Sequence, residues 1–126
     1  MTIVERLDRL RGEFPACTLV AFGDLTTGTV LCSSSASPVP QERLDSLCAT
    51  AADLLDGAVA RQIGEVLARD GRALHAIAID ADEIGLFLRA SDHPADALAC
   101  LCTSLQEFDR FVAVARASLD SICDAQ

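Results

Sequence analysis

The chain has 126 residues, a formal charge of −9 and 51% hydrophobic residues, which suits one soluble domain and is too short for two ordinary ones. An excess of 19 acidic over 10 basic side chains repels a phosphate backbone, so nucleic acid is not an expected partner. Mean hydropathy is high at +0.32, yet no stretch approaches the roughly 18 uncharged apolar residues of a membrane span, and the apolar excess belongs in a core or an interface.

The start, MTIVERLDRLRGEF, alternates charge with apolar residues. It therefore lacks the apolar segment of a secretory signal and predicts a cytoplasmic protein. Ile3, Val4, Leu7 and Leu10 recur at helical spacing, giving a short amphipathic helix over 3–12 that Pro15 ends. Ala16 to Phe22 and Thr29 to Ser33 are β-rich runs joined by a glycine-bearing polar loop, the pattern of a hairpin. In the connector after them, Ser37 before Pro38 fits a helix N-cap with proline in the first turn.

From Gln41, a stripe of Leu44, Leu47, Cys48, Ala51, Leu54 and Leu55 predicts the central helix. The stripe runs on through Ala58, Val59, Ile63, Val66 and Leu67. Two readings stay open: helix continuing to Arg69, kinked at Gly57 and capped by Gly71, or a strand over Gly64 to Ala68. Ala73 to Asp80 and Ile84 to Ala90 are near-continuous apolar runs about a short acidic turn, and read as strands covered on both faces. Ala97 to Thr103 follows as a strand, because Ser104-Leu105-Gln106-Glu107 matches a capping box that opens a last helix. That helix has the stripe Leu105, Phe108, Phe111, Val112, Ala115, Leu119 and Ile122, with Arg116 and Asp120 turned outward. The expected fold class is α/β (α+β): a five-stranded antiparallel sheet with helices on both faces, in the order helix, strand, strand, helix, strand, strand, strand, helix.

Chemistry is thinly represented. The cysteines at 17, 32, 48, 100, 102 and 123 form no Cys-x-x-Cys pair and read as small apolar core residues. The competing reading is a thiol-based metal or redox module on Cys100 and Cys102, completed by His75 or His93. His75 sits in an apolar strand; His93 lies with Asp92 and Asp96 in a polar loop; Asp80, Asp82 and Glu83 fit turn chemistry. The chain has no lysine, so neither a Schiff base nor a phosphate-gripping lysine can form. Arg89 ends an apolar strand and should pair with Asp92 or Asp96, or else be presented to an acidic partner. No catalytic constellation and no cofactor are expected.

The run Cys17-Thr18-Leu19-Val20-Ala21-Phe22-Gly23-Asp24, leading through Thr27-Gly28-Thr29-Val30-Leu31, together with Ile84 to Cys102 and the order of elements, resembles the roadblock/dynein light chain family of the roadblock and longin superfamily, and its bacterial members in particular. The resemblance covers most of residues 1–126 as one domain, but 57–71 have no clear counterpart in it. It implies a homodimer in which central helices pack together and third strands run side by side, acting as a non-enzymatic scaffold or regulator of a protein partner such as a small GTPase. Carried onto this chain, the interface is Leu44, Cys48, Ala51 and Leu55 of the helix with Leu74, His75, Ile77 and Ile79 of the strand. A bare edge as apolar as ALHAIAID is an aggregation hazard that a symmetric partner would cover. A small-ligand sensor of profilin or PAS-like type is the remaining alternative, and it needs an apolar pocket that so few aromatics would poorly line.

Overall fold

The computed structural model describes residues 1–67, 74–104 and 106–125. Its elements are α1 (Ile3–Glu13), β1 (Cys17–Asp24), β2 (Thr29–Ser35), α2 (Gln41–Asp56), α3 (Ala58–Val66), β3 (His75–Ile79), β4 (Ile84–Arg89), β5 (Asp96–Cys102) and α4 (Phe108–Asp124). The five strands form one antiparallel sheet in the order β2-β1-β5-β4-β3. This is the expected class and order, with the central helix divided in two.

One face of the sheet is packed by α1 and α4. Leu7 and Leu10 of α1, and Phe111, Ala115, Leu119 and Ile122 of α4, meet Val20, Phe22, Leu86, Leu88, Leu98 and Cys100 in one continuous core. Each fully buried leucine here contributes about 1.5–3 kcal/mol. The Thr2 hydroxyl starts α1 by accepting from the Glu5 backbone N–H at 3.1 Å. On the other face α2 lays Leu44, Cys48, Ala51 and Leu55 against Leu19, Ala21, Phe87, Ala97 and Ala99. Gly23 permits that approach: a Cβ there would lie 2.9 Å from the Cys48 sulfur and 3.0 Å from the Thr29 carbonyl.

Two helix starts differ from the sequence expectation. Ser37-Pro38 does not open α2, which begins at Gln41 after Pro40. A proline disfavours helical geometry in the residue before it, so Pro40 holds Val39 extended and delays the first turn. The Ser104–Glu107 capping box does not form either. Glu107 takes a left-handed conformation (φ 59°), and α4 starts at Phe108 without a side-chain cap.

The helical reading holds through Val66, and Gly57 breaks the helix between α2 and α3. A Cβ at Gly57 would lie 2.3 Å from the Asp53 carbonyl oxygen, so a side chain cannot follow the chain through this corner. The alternative strand over Gly64 to Ala68 is excluded as far as Val66. The expected end at Arg69 and Gly71 lies outside the described residues. The strand expected from Ala73 begins, within the described residues, at His75.

Candidate interaction surface

The layers just described leave one side of the molecule uncovered. β4 and β5 are buried almost throughout, but β3 at the sheet edge is exposed at every residue except the half-buried Ala76. The expectation that this strand would be covered on both faces is therefore wrong for a single copy. The register explains why: Ile77 pairs with Leu86 and His75 with Leu88, so both point to the α1/α4 face, and neither helix extends over β3. Leu74, Ile77 and Ile79 are 53%, 48% and 65% exposed.

α3 carries a second exposed apolar surface. Among the described residues it meets no element but α2. Ala60 is buried, while Val59, Ile63 and Val66, spaced four and three residues apart, form an exposed stripe with Val66 at 85%. A helix with an apolar stripe and nothing against it is half of a packing arrangement. Periodicity alone counts these residues into the core of a longer helix. The signal that separates them is that no element remains to cover a stripe beyond Gly57.

The helix positions expected at the interface are corrected by burial. Leu44, Cys48, Ala51 and Leu55 are at most 6% exposed and fill the protomer's own core. The apolar stripe of α2 is needed to cover the sheet, so its outward side is the polar one: Ser46, Thr50 and Asp53, with Ala49. Leu74, His75, Ile77 and Ile79 remain exposed on the edge.

Arg89 is neither presented outward nor paired with Asp92 or Asp96. It is 4% exposed and forms an ion pair with Asp56 at the end of α2. It also donates to the Leu55 carbonyl at 3.1 Å and the Pro94 carbonyl at 2.7 Å. It thus caps α2 where lysine or arginine is favourable to the helix dipole. Arg116, expected outward, instead donates to the carbonyls of Arg89 and, at 2.7 Å, of Leu74. Asp120 accepts from the backbone and hydroxyl of Ser91 at 3.2 and 3.3 Å. Two arginines therefore tie the α2 end, the loop before β5 and the entry to β3 into one corner.

The thiol module does not assemble. Cys100 and Cys102 face the α1/α4 core, and β4 lies between them and β3. His75 is level with Leu98, two strand spacings across and two residues short of Cys100, so it lies about 12 Å from Cys100 and farther from Cys102. His93 sits in an exposed loop where its carbonyl accepts from Asp96 N–H at 2.9 Å. Among the described residues no group of three or more His, Cys, Asp or Glu could hold a metal ion. Burial pushes the Cys100 thiol up, and burial, Asp45 and Asp24 push up Cys48. Burial, a hydrogen bond to Asp96 and nearby carboxylates raise Cys123 to about 12. Such thiols are poor nucleophiles and ligands.

The acidic turn follows its expected role: the Asp80 carboxylate accepts from the backbone of Asp82 and Glu83, both at 2.8 Å, and these bonds hold it below the usual aspartate range. A groove of about 420 Å³ lies open between α1 and α4, lined by Arg6, Arg9, Glu13, Val114 and Ser118 among others. It is open to solvent along its length, unlike the enclosed pocket a small-ligand sensor needs. No helix among the described residues is long and apolar enough to cross a membrane.

No protein-family model matches the sequence, and no curated protein matches it significantly. The architecture is nonetheless shared over nearly the whole chain. The gliding protein MglB of Thermus thermophilus aligns with a TM-score of 0.77 at 20% identity, covering 98% of this chain and 90% of that one. Myxococcus xanthus MglB aligns at 0.74 and 16% identity, covering 98% and 96%. A Roadblock/LC7 domain from Streptomyces avermitilis aligns at 0.72 and 16% identity, covering 97% and 95%. The sheet order, the helix pair on one face and α2 on the other, and this superposition agree with the resemblance drawn from the sequence: the chain has the roadblock/LC7 fold.

Proposed function

We propose that the protein is a non-enzymatic scaffold or regulatory domain that acts as a homodimer and binds a protein partner, with a small GTPase as the partner class the resemblance implies. The observation that carries this reading is the apolar surface of β3 and α3, which with Leu67 and Leu74 holds seven of the ten large hydrophobic side chains exposed among the described residues. Strand β3 of one copy beside β3 of another joins the two sheets and satisfies both edges with one self-complementary surface. The proposed seam keeps Leu74, His75, Ile77 and Ile79, and replaces the buried α2 positions by Val59, Ile63 and Val66 of α3 with the outward side of α2. One MglB structure is described as having a tetrameric arrangement, so self-association occurs on this fold.

In this reading the charge of −9 keeps the remaining surface soluble in a bacterial cytoplasm and favours a partner with a basic face. Sedimentation at micromolar concentration tests the first step: a dimer is expected, and a monomer at all concentrations overturns the seam. The second step is tested by titrating a bacterial small GTPase, in its two nucleotide states. Binding to one state supports a regulator, and no binding to either removes the GTPase from the proposal while leaving the dimer standing.

A further inference from the structure

Five of the six cysteines, at 17, 32, 100, 102 and 123, lie in the layer between the sheet and α1/α4. Most are separated by other side chains, but Cys17 at the start of β1 is directly opposite Cys102 at the end of β5. The surrounding bonds fix the type of this pair. Thr103 N–H donates to the Ala16 carbonyl at 2.9 Å, whereas Cys17 N–H turns back to Phe14 O at 2.8 Å instead of crossing the sheet. Cys17 and Cys102 therefore form a non-hydrogen-bonded antiparallel pair just outside the bulge between Cys17 and Leu19; in a regular ladder the Cα atoms of such a pair approach to about 4.5 Å. That separation falls within the roughly 4.4–6.8 Å a disulfide spans. Both side chains point into the same core layer, where the Cys17 thiol donates to the Leu19 carbonyl at 3.5 Å. Cys100 stands opposite Val20 and two residues along β5, about 7 Å from Cys102, beyond easy bridging.

We propose that Cys17 and Cys102 are a reversible disulfide site, oxidised by a small-molecule disulfide of the glutathione class. The Cys17 sulfur attacks one sulfur of the oxidant to form a mixed disulfide, releasing one glutathione thiol. The Cys102 sulfur then displaces the second. Two electrons pass from the protein thiols to the oxidant's sulfur–sulfur bond, and the two protons end on the two glutathione thiols. Cys102, buried at the end of β5 opposite Cys17, is the resolving partner. Both thiols are buried, so exchange proceeds through opening of the strand ends. Cys17 lies just after Pro15, and Cys102 is the last residue of β5. The bond would tie the α1/β1 corner to the β5/α4 corner and constrain the unfolded chain across most of its length.

The test is oxidation of the native protein with oxidised glutathione, alkylation of remaining thiols, trypsin digestion and mass spectrometry. The expected product joins residues 12–43 to residues 90–110, lacks two hydrogens and separates on reduction. These peptides also contain Cys32 and Cys100. The link should survive Cys32→Ser and Cys100→Ser and disappear in Cys17→Ser and in Cys102→Ser, with circular dichroism confirming that each variant is folded. The oxidised wild type should also unfold at higher urea than the reduced form. A link that persists in Cys17→Ser, that forms only in denaturing urea, or that is replaced by glutathione adducts alone overturns the assignment.

Discussion

The two edges of the sheet are built on opposite plans. At the β2 edge the strand is serine-rich and fastened by side chains from two helices. Asp45 accepts from Val30 N–H at 3.2 Å, Gln41 donates to Val30 O at 3.4 Å, and Ser34 bridges Asp8 and Arg11 of α1 at 2.5 and 2.9 Å. At the β3 edge, residues 75–79 carry no such caps among the described residues, and Ile77 and Ile79 stand in the open. Edge strands are normally blunted by charge, capping or cover. An edge left apolar while the other is blunted is the one the proposed pairing uses, and α3, which meets only α2 among the described residues, carries a second exposed apolar stripe.

The corner that shapes the β3 side rests on Arg89, and removing it breaks the comparison at its root. Arg89→Met leaves the carbonyls of Leu55 and Pro94 short of a donor and Asp56 without its ion pair. Asp56 is 40% exposed and can rehydrate, so the expected cost is about 3 kcal/mol, the lower end for breaking a buried pair. Urea unfolding measures it, and a loss under about 1 kcal/mol would show that the corner is not held by this arginine.

Next in size is a direct exchange between the edges. Ile77→Asp on β3 places an unpaired charge in the proposed seam and should weaken dimerisation by about 100-fold or more, or roughly 3 kcal/mol. Leu31→Asp on β2, where the side chain is 59% exposed in a single copy, should change it by less than about 0.5 kcal/mol. Sedimentation equilibrium on the pair decides between the edges. Equal effects, or a larger effect at Leu31, would transfer the seam to β2.

What could be read from the sequence divides along the same line. Periodicity locates every helix and strand of the packed interior, because residues such as Leu7, Leu86, Leu98 and Leu119 serve one master, the core. Where a stripe serves something else, periodicity misleads. Val59, Ile63 and Val66 have helical spacing but no protomer surface to meet, and the α2 stripe looks available for a partner when it is already committed to the sheet. The partner of Arg89 was not legible either, since Asp56 is 33 residues away and reaches it only after α2 has crossed the sheet. Local capping signals at Ser37 and Ser104 were overridden by Pro40 and by the left-handed Glu107, both acting within three residues.

A smaller effect sharpens the β2 side. Ser34→Ala removes the hydroxyl between Asp8 and Arg11 and should cost about 1 kcal/mol, since both charged partners can turn to water. The dimer should be unaffected, because nothing on this edge belongs to the proposed seam. A change in dimer affinity on this substitution would mean that α1 and β2 communicate with the other edge.

The smallest effect concerns the turn that ends β3. Asp80 has its ionisation lowered by the backbone N–H groups of Asp82 and Glu83, so the ionised form is favoured in the folded turn. Its stabilisation is fully present above the ordinary aspartate range and is lost as pH falls through the lowered folded value. Amide exchange at Asp82 and Glu83, corrected for the intrinsic pH dependence, should therefore lose protection only in the acid range. Asp80→Asn should flatten that profile, while protection at β2 residues stays unchanged in both proteins. If acid loosens both edges together, the turn is reporting global unfolding and not its own carboxylate. If the β3 turn alone responds, the open edge has a local hold on its register, and a five-residue strand needs that hold if it is to meet a second copy in one alignment.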